Sequence, residues 1–238
     1  MKRKTLLSWS SGKDSAWALH VLRQQPDVDV VGLFSTVNAE YNRVAMHAVR
    51  IGLLQEQARS VGLPLHMIQI PYPCSNVEYE SVMNAFVEEA KRLQVQCFAF
   101  GDLYLEDIRM YREERLKETG ITPIFPIWNI PTRELSRTMV NSGLRARITC
   151  VDPKQLAEEF AGRIYDESFL EDIPENVDPC GENGEFHSFA FDGPMFRYPI
   201  HTLLGDIVQR DGFVFADLMP YDNDNETNPE VIHENELI

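Results

Sequence analysis

Positive charge is scarce in this chain: 22 Lys and Arg stand against 37 Asp and Glu, a formal net charge of −15 over 238 residues. A nucleic-acid binder ordinarily presents a basic face, because phosphate neutralisation supplies much of its affinity. The balance therefore counts against RNA or DNA as a partner, and Arg133, Arg137, Arg145 and Arg147 read as a solvated helix face and its following strand. Cysteine is scarce too. Cys74, Cys97, Cys150 and Cys180 are far apart and form no CxxC pair, which excludes a zinc ribbon or a disulfide framework and fits reduced thiols. No apolar run approaches the roughly 20 residues that cross a bilayer. The apolar stretch behind Met1-Lys2-Arg3-Lys4 is interrupted within five residues, unlike the core of a signal peptide. The expectation is a cytoplasmic protein that meets no membrane.

What is present is an ordinary globular composition, 44% hydrophobic and 25% charged, with enough apolar material for a substantial core. Short apolar runs alternate with amphipathic stretches. The pattern predicts strands over 5–9, 28–35, 65–70, 97–100, 122–125 and 144–150, and helices over 14–23, 49–61, 77–93, 105–119 and 132–141. A βαβα rhythm of this kind implies a parallel sheet of five or slightly more strands sandwiched by helices, an α/β fold. After about Asp152 the rhythm changes: a helical stretch is expected around 153–172, then strands over 185–192 and 213–218. The organisation expected is an α/β domain over 1–150, which the loop and the resemblance described below make the ATP-binding part, a smaller α+β part over 151–220, by the same resemblance the substrate-binding one, and an acidic tail over 221–238 with six acids and no Lys or Arg. There is no internal repeat or low-complexity linker, and a homodimer is compatible with the pattern.

The strongest local signal follows the first strand. Ser10-Ser11-Gly12-Lys13-Asp14-Ser15 joins an apolar strand to a helix containing Trp17, Ala18, Val21 and Leu22. Gly12 lets the backbone turn close to a ligand, the helix start offers free N–H groups and a positive dipole end, and Ser10, Ser11, Ser15 and Lys13 add donors and charge. A phosphate chain suits such a loop. It is not a Walker loop, since Leu7 stands where Gly is needed and Asp14 where Ser or Thr is needed, and the GxGxxG pattern fails as well.

The hexapeptide resembles the SGGKDS pyrophosphate loop of the PP-loop (HUP-like) ATPases, with Ser11 in place of the first glycine. The likeness extends to Gln57-Ala58-Arg59-Ser60-Val61-Gly62-Leu63-Pro64-Leu65, to the Gly101-Asp102 turn, to Gly162-Arg163-Ile164-Tyr165-Asp166-Glu167-Ser168 and to Gly181-Glu182-Asn183-Gly184-Glu185-Phe186-His187-Ser188. Together these stretches resemble the diphthine-ammonia ligase family, the last of them being a variant of its GExGEFxT run. Where members that act on diphthine carry a Gly-Ala turn and a Tyr-Gln-Arg-rich stretch, this chain has Gly101-Asp102-Leu103-Tyr104. That places it nearer the bacterial-type relatives, so amidation of another carboxylate is expected.

Ligands of parallel sheets bind beyond the carboxyl ends of the strands, where strand order reverses. In an order of 3-2-1-4-5, the loop at Ser10–Ser15 would face Gly101 and Asp102, with Ser35 and Thr36 lining an adenine pocket. Asp14 and Asp102 are the candidate ligands of Mg²⁺, a hard ion that takes carboxylate and water. The resemblance implies ATP as cofactor, a small-molecule or protein-borne carboxylate as substrate and ammonia or an amine as the second reactant. The carboxylate would attack the α phosphate and release pyrophosphate. Lys13 and Asp14 are assigned to that step. Glu182, Glu185 and His187 are assigned to the attacking amine, Glu185 and His187 projecting from one strand face. His47 is a candidate nucleotide contact by resemblance, and equally a plain loop histidine. Arg109, Arg112 and Arg115, at i, i+3 and i+6, could face phosphate, but interleaved with Glu106, Asp107, Glu113 and Glu114 they read rather as surface ion pairs. Two other functions stay open: a nucleotide-binding regulator without turnover, and, disfavoured by the acidic balance, a tRNA-modifying PP-loop enzyme.

Overall fold

The structure, a computed structural model, describes residues 2–38, 43–44 and 49–221. His47 and the acidic segment 222–238 lie outside the described residues. The first part alternates as the periodicity predicts: β1 (Arg3–Ser8), α1 (Lys13–Gln24), β2 (Val28–Asn38), β3 (Arg43–Val44), α2 (Ile51–Val61), β4 (Leu65–Ile70), α3 (Asn76–Arg92), β5 (Cys97–Ala99), α4 (Glu106–Leu116) and β6 (Thr122–Ile124). The parallel strands lie side by side in the order β4, β2, β1, β5, β6, the expected 3-2-1-4-5, with the two-residue β3 added antiparallel to β2. Strand order therefore reverses between β1 and β5.

Successive side chains of a strand point to opposite faces, and β1 divides the core accordingly. Leu7 joins Trp17, Leu19, Leu33 and Leu53, on the face covered by α1 and α2. Its neighbour Leu6 joins Phe34, Phe86, Phe98 and Leu116, under α3 and α4. Helix α3 begins with a capping box in which Ser75 and Glu78 satisfy each other's backbone N–H.

Beyond α5 (Thr132–Asn141) the chain builds a second sheet that is antiparallel throughout. Its strands are β7 (Arg145–Val151), β8 (Ile164–Tyr165), β9 (Phe186–Asp192), β10 (Thr202–Arg210) and β11 (Phe213–Pro220), in the order β10, β11, β7, β8 with β9 on β7. The strand expected over 144–150 thus belongs to this sheet and not to the parallel one. The helix expected around 153–172 is corrected to three short pieces: a 3₁₀ turn at Glu158–Phe160, strand β8, and α6 (Glu167–Asp172) capped by Asp166. Gly162, at φ +82°, interrupts any helix there. β10 has no counterpart in the sequence expectation.

The two sheets share one core, in which Leu7, Trp17 and Leu53 are continuous with Phe169, Phe189 and Leu218. Of the basic residues read from sequence, Arg133 and Arg137 are exposed on α5, Arg133 donating to the Glu175 carbonyl, whereas Arg145 and Arg147 are half-buried and donate to the carbonyls of Val140 and Leu144 and of Gly162. Among the described residues no helix is long and apolar enough to cross a membrane.

Candidate active site

The loop between β1 and α1 is held from both sides. The Ser11 carbonyl accepts from the Ala190 N–H of β9 at 2.9 Å and from the Gln57 side-chain amide of α2 at 2.9 Å. Gln57 is fully buried; its other contacts are the Ala190 carbonyl at 2.6 Å and the Trp9 indole N–H at 2.8 Å. One glutamine therefore ties the loop, the end of β1 and β9 together. Ser11 is left at φ +69° with its hydroxyl buried and without a hydrogen-bond partner. A β-carbon is strained in that region of backbone space, and an unpaired buried hydroxyl adds to the cost.

Helix α1 then starts at the cleft. Gly12 occupies its N-cap without a side-chain cap, and the Lys13 N–H meets the Ser188 hydroxyl at 3.3 Å. Ser10 and Ser15 pair through their hydroxyls at 3.1 Å, and Ser15 also donates to the Gly12 carbonyl. From the other side of the strand-order reversal, Gly101 presses on this first turn: a β-carbon there would stand 3.0 Å from the Ser15 nitrogen and 3.1 Å from the Asp14 carbonyl. Glycine is the residue that permits such an approach.

Lys13 does not lie open to the cleft. Its ammonium is 2% exposed, donates to both Asp14 carboxylate oxygens at 2.9 and 3.0 Å and to the Cys180 carbonyl, and sits between the rings of Tyr165 and Phe186. Burial disfavours this cation, yet Asp14 and the other acidic neighbours outweigh burial and hold the Lys13 pKa above its ordinary value. Asp102 is engaged as well, by the Arg112 guanidinium at 2.5 and 3.1 Å, and Arg112 in turn lies over the Phe100 ring.

The segment 178–188 closes the cleft. Gly181 turns with φ +70°, where a β-carbon would meet the Phe186 carbonyl at 2.8 Å. The Glu182 carboxylate accepts from the Leu103 N–H at 2.8 Å, linking this turn to the one that follows β5. Burial pushes the Glu182 carboxyl up to about 7; the Leu103 bond opposes the shift, and the charges of Asp14 and Asp102 add to it. His187 is held below its ordinary pKa, by burial first and then by Lys13, which keeps it neutral at pH 7. Glu185 does not join them. It precedes β9, is 3% exposed, and accepts from the Asp178 N–H, the Asn183 N–H and the Asn183 amide. Its carboxylate organises its own loop.

Two cavities lie side by side. A polar one of about 250 Å³ is lined by Ser10, Gly12–Ser15, Gly101, Asp102, Glu182 and His187. An apolar one of about 280 Å³ lies between α3 and α4, walled by Phe34, Met83, Phe98, Phe100 and Tyr111, with Ser35 and Thr36 at its edge. Ser8, Ser10, Phe100, Arg112 and His187 line both. The sequence reading missed Arg112. Its flanking arginines do form the surface contacts expected, Arg109 with Glu113 and Arg115 with Glu80. Only its contacts with Asp102 and the Phe100 ring set Arg112 apart, and no local pattern announces them. Among the described residues no three His, Cys, Asp or Glu side chains come together as a metal cage. Asp14 and Asp102, a pair of carboxylates at the cavity wall, suit an ion that takes its remaining ligands from phosphate and water.

Comparison with known proteins agrees with this layout. Residues 2–123 match the diphthamide synthase N-terminal domain, and residues 131–213 match the diphthamide synthase C-terminal domain. Similar proteins include the diphthine–ammonia ligases of Homo sapiens and Bos taurus, each 24% identical over 235 residues, and that of Mus musculus, 25% identical over 239 residues. In each case the match covers 87% of this chain and 85% of the relative. The chain belongs to the diphthamide synthase family.

The strain at Ser11 generates a stability prediction. Ser11→Gly relieves the left-handed backbone and removes the orphaned hydroxyl, against a smaller loss from the freer unfolded chain. A net gain of about 1 kcal/mol is expected in urea unfolding. A destabilised Ser11→Gly variant would contradict this description of the loop.

Proposed function

We propose that this member of the diphthamide synthase family is an ATP-dependent ligase that adenylates a carboxylate and then amidates it with ammonia or an amine. The observation that carries the reading is the shared wall of the two cavities. Across that wall, formed by Ser8, Ser10, Phe100, Arg112 and His187, a polar cavity lined by the helix start that suits phosphate and by the Glu182 carboxyl adjoins an apolar space suited to a nucleobase. Side by side, the two cavities fall in the roughly 300–1,000 Å³ range of small-molecule sites.

The adenine ring fits among Phe34, Phe98, Phe100 and Tyr111, where stacking on aromatic faces is available. The triphosphate extends toward Gly12–Ser15, whose N–H groups and helix dipole favour negative charge. Asp14 and Asp102 would hold a Mg²⁺ ion, which would supply charge neutralisation of the phosphates. Lys13 acts at one remove: it holds Asp14 in place and pins the first turn of α1 to the Cys180 carbonyl.

The first step forms a bond between the substrate carboxylate oxygen and the α phosphorus and breaks the bond from that phosphorus to the α–β bridging oxygen, so pyrophosphate leaves. In the second, the amine nitrogen attacks the acyl carbon, AMP departs with the bond electrons, and the nitrogen loses one proton. In this reading Glu182 takes that proton. A carboxyl titrating near 7 is a competent base at neutral pH and a competent acid afterwards. His187, neutral and lining both cavities, contacts the nucleotide. Glu185 holds the 178–185 turn in shape.

The product assay is direct. Mg²⁺-ATP, ammonium and a panel of carboxylates should yield AMP and pyrophosphate in equal amounts; ADP and phosphate would exclude attack at the α phosphorus, and tight ATP binding without turnover would make the chain a nucleotide sensor. The base must be ionised to work, so activity falls as pH drops through about 7 in the native chain. Glu182→Gln should lower the rate and remove that limb of the profile, and a limb unchanged in the variant would take Glu182 out of the proton transfer.

A further inference from the structure

The outer strand of the second sheet is built as an open edge. β10 is the terminal strand of that sheet, and among the described residues its one strand partner is β11. It carries apolar side chains that the fold leaves half in water: Leu203 is 48% exposed, Leu204 44%, Ile207 52% and Val208 48%. Edge strands of soluble proteins are ordinarily blunted by proline, lysine, a bulge or a covering element, since a row of unpaired N–H and C=O groups templates another strand. β10 contains neither Pro nor Lys. Its one irregularity lies between Leu204 and Ile207, and the pairing from Ile207 to Arg210 is regular.

We propose that the edge of β10 pairs antiparallel with the β10 edge of a second copy of this chain, about a two-fold axis at Val208. The argument for a second copy is charge complementarity. With Val208 opposite itself, Asp206 of each copy faces Arg210 of the other and Ile207 faces Gln209, so two opposite-charge cross-strand pairs form on one face of the joint. A slip of one residue sets Asp206 against Gln209 or against Asp211, which loses the pair or creates a repulsion. In a chain of net charge −15, self-association needs such a local match. Arg210 stands ready on that face, over the Phe215 ring at 5.0 Å and 3.6 Å from Asp211. Pairing would merge the two five-stranded sheets into one.

Sedimentation equilibrium of the full chain tests the proposal. The native protein should sediment at twice the chain mass at micromolar concentration. Asp206→Arg and Arg210→Asp should each weaken the dimer about tenfold or more, and the double swap should restore it, because the cross-strand pairs reform with their signs exchanged. Thermal unfolding of each variant checks that it is folded; both positions are at the surface. A native protein that stays monomeric overturns the proposal. So does a dimer indifferent to both single swaps, or one weakened by them and not rescued by the double. Truncation after Tyr221 should leave the dimer intact, and its loss would assign the contact to residues 222–238 instead.

Discussion

The structure depends on what the Ser11 carbonyl is bonded to. Two N–H donors from different parts of the fold, Ala190 of β9 and the Gln57 amide of α2, converge on it. Because both are buried, water cannot replace either one, and loss of the Gln57 amide also strips the Trp9 indole N–H of its acceptor, at a cost of about 1–3 kcal/mol. The loop is therefore fixed by the second sheet as firmly as by the strand and helix it connects. That explains how a serine tolerates φ +69° at this position: its surroundings over-determine it. The same docking brings Ser188 to the Lys13 N–H and His187 to the cleft wall. The two matched domains are thus halves of one site, neither of which holds a complete set of groups.

Electrostatics at the cleft follow from that docking. Asp14, Asp102 and Glu182 crowd the cleft, with Asp178 adding to the charge felt by Asp14, and the cations within reach are Lys13 and Arg112. Two of the carboxylates have direct cationic partners, Asp14 in Lys13 and Asp102 in Arg112. Glu182 has only a backbone N–H, and burial, with the charges of Asp14 and Asp102 adding to it, raises its pKa. Groups whose environments drive their pKa values apart are the usual sign of divided acid–base roles.

Much of the architecture was legible because it is written locally. Val28–Asn38 and Leu65–Ile70 read as strands from their apolar runs, and the loop at Ser10–Ser15 announced itself by a strand, a glycine and a helix start. What failed was set by tertiary contacts. Residues 153–172 carry a helix-like spacing of Leu156, Phe160, Phe169 and Leu170, yet Ile164 and Tyr165 pair with β7 and break it. β10 was invisible because Gly205 and Asp206 interrupt its apolar run and because both of its faces carry apolar residues, which erases alternation. Glu185 looked like a partner for His187 on one strand face, but the strand begins one residue later and the carboxylate folds back on Asn183. Arg112 resembles its neighbours in sequence, and only the tertiary fold sets it against Asp102 and the Phe100 ring.

The central claim is that the start of α1 and the apolar space between α3 and α4 form one nucleotide site, closed by the second sheet. A crystal structure with α,β-methylene-ATP, in which the scissile linkage cannot be cleaved, measures this most directly. The account predicts phosphates against the backbone N–H groups of Gly12 to Ser15 and the base between Phe34 and Phe100. Nucleotide bound elsewhere on the chain, or phosphates remote from the first turn of α1, would contradict it.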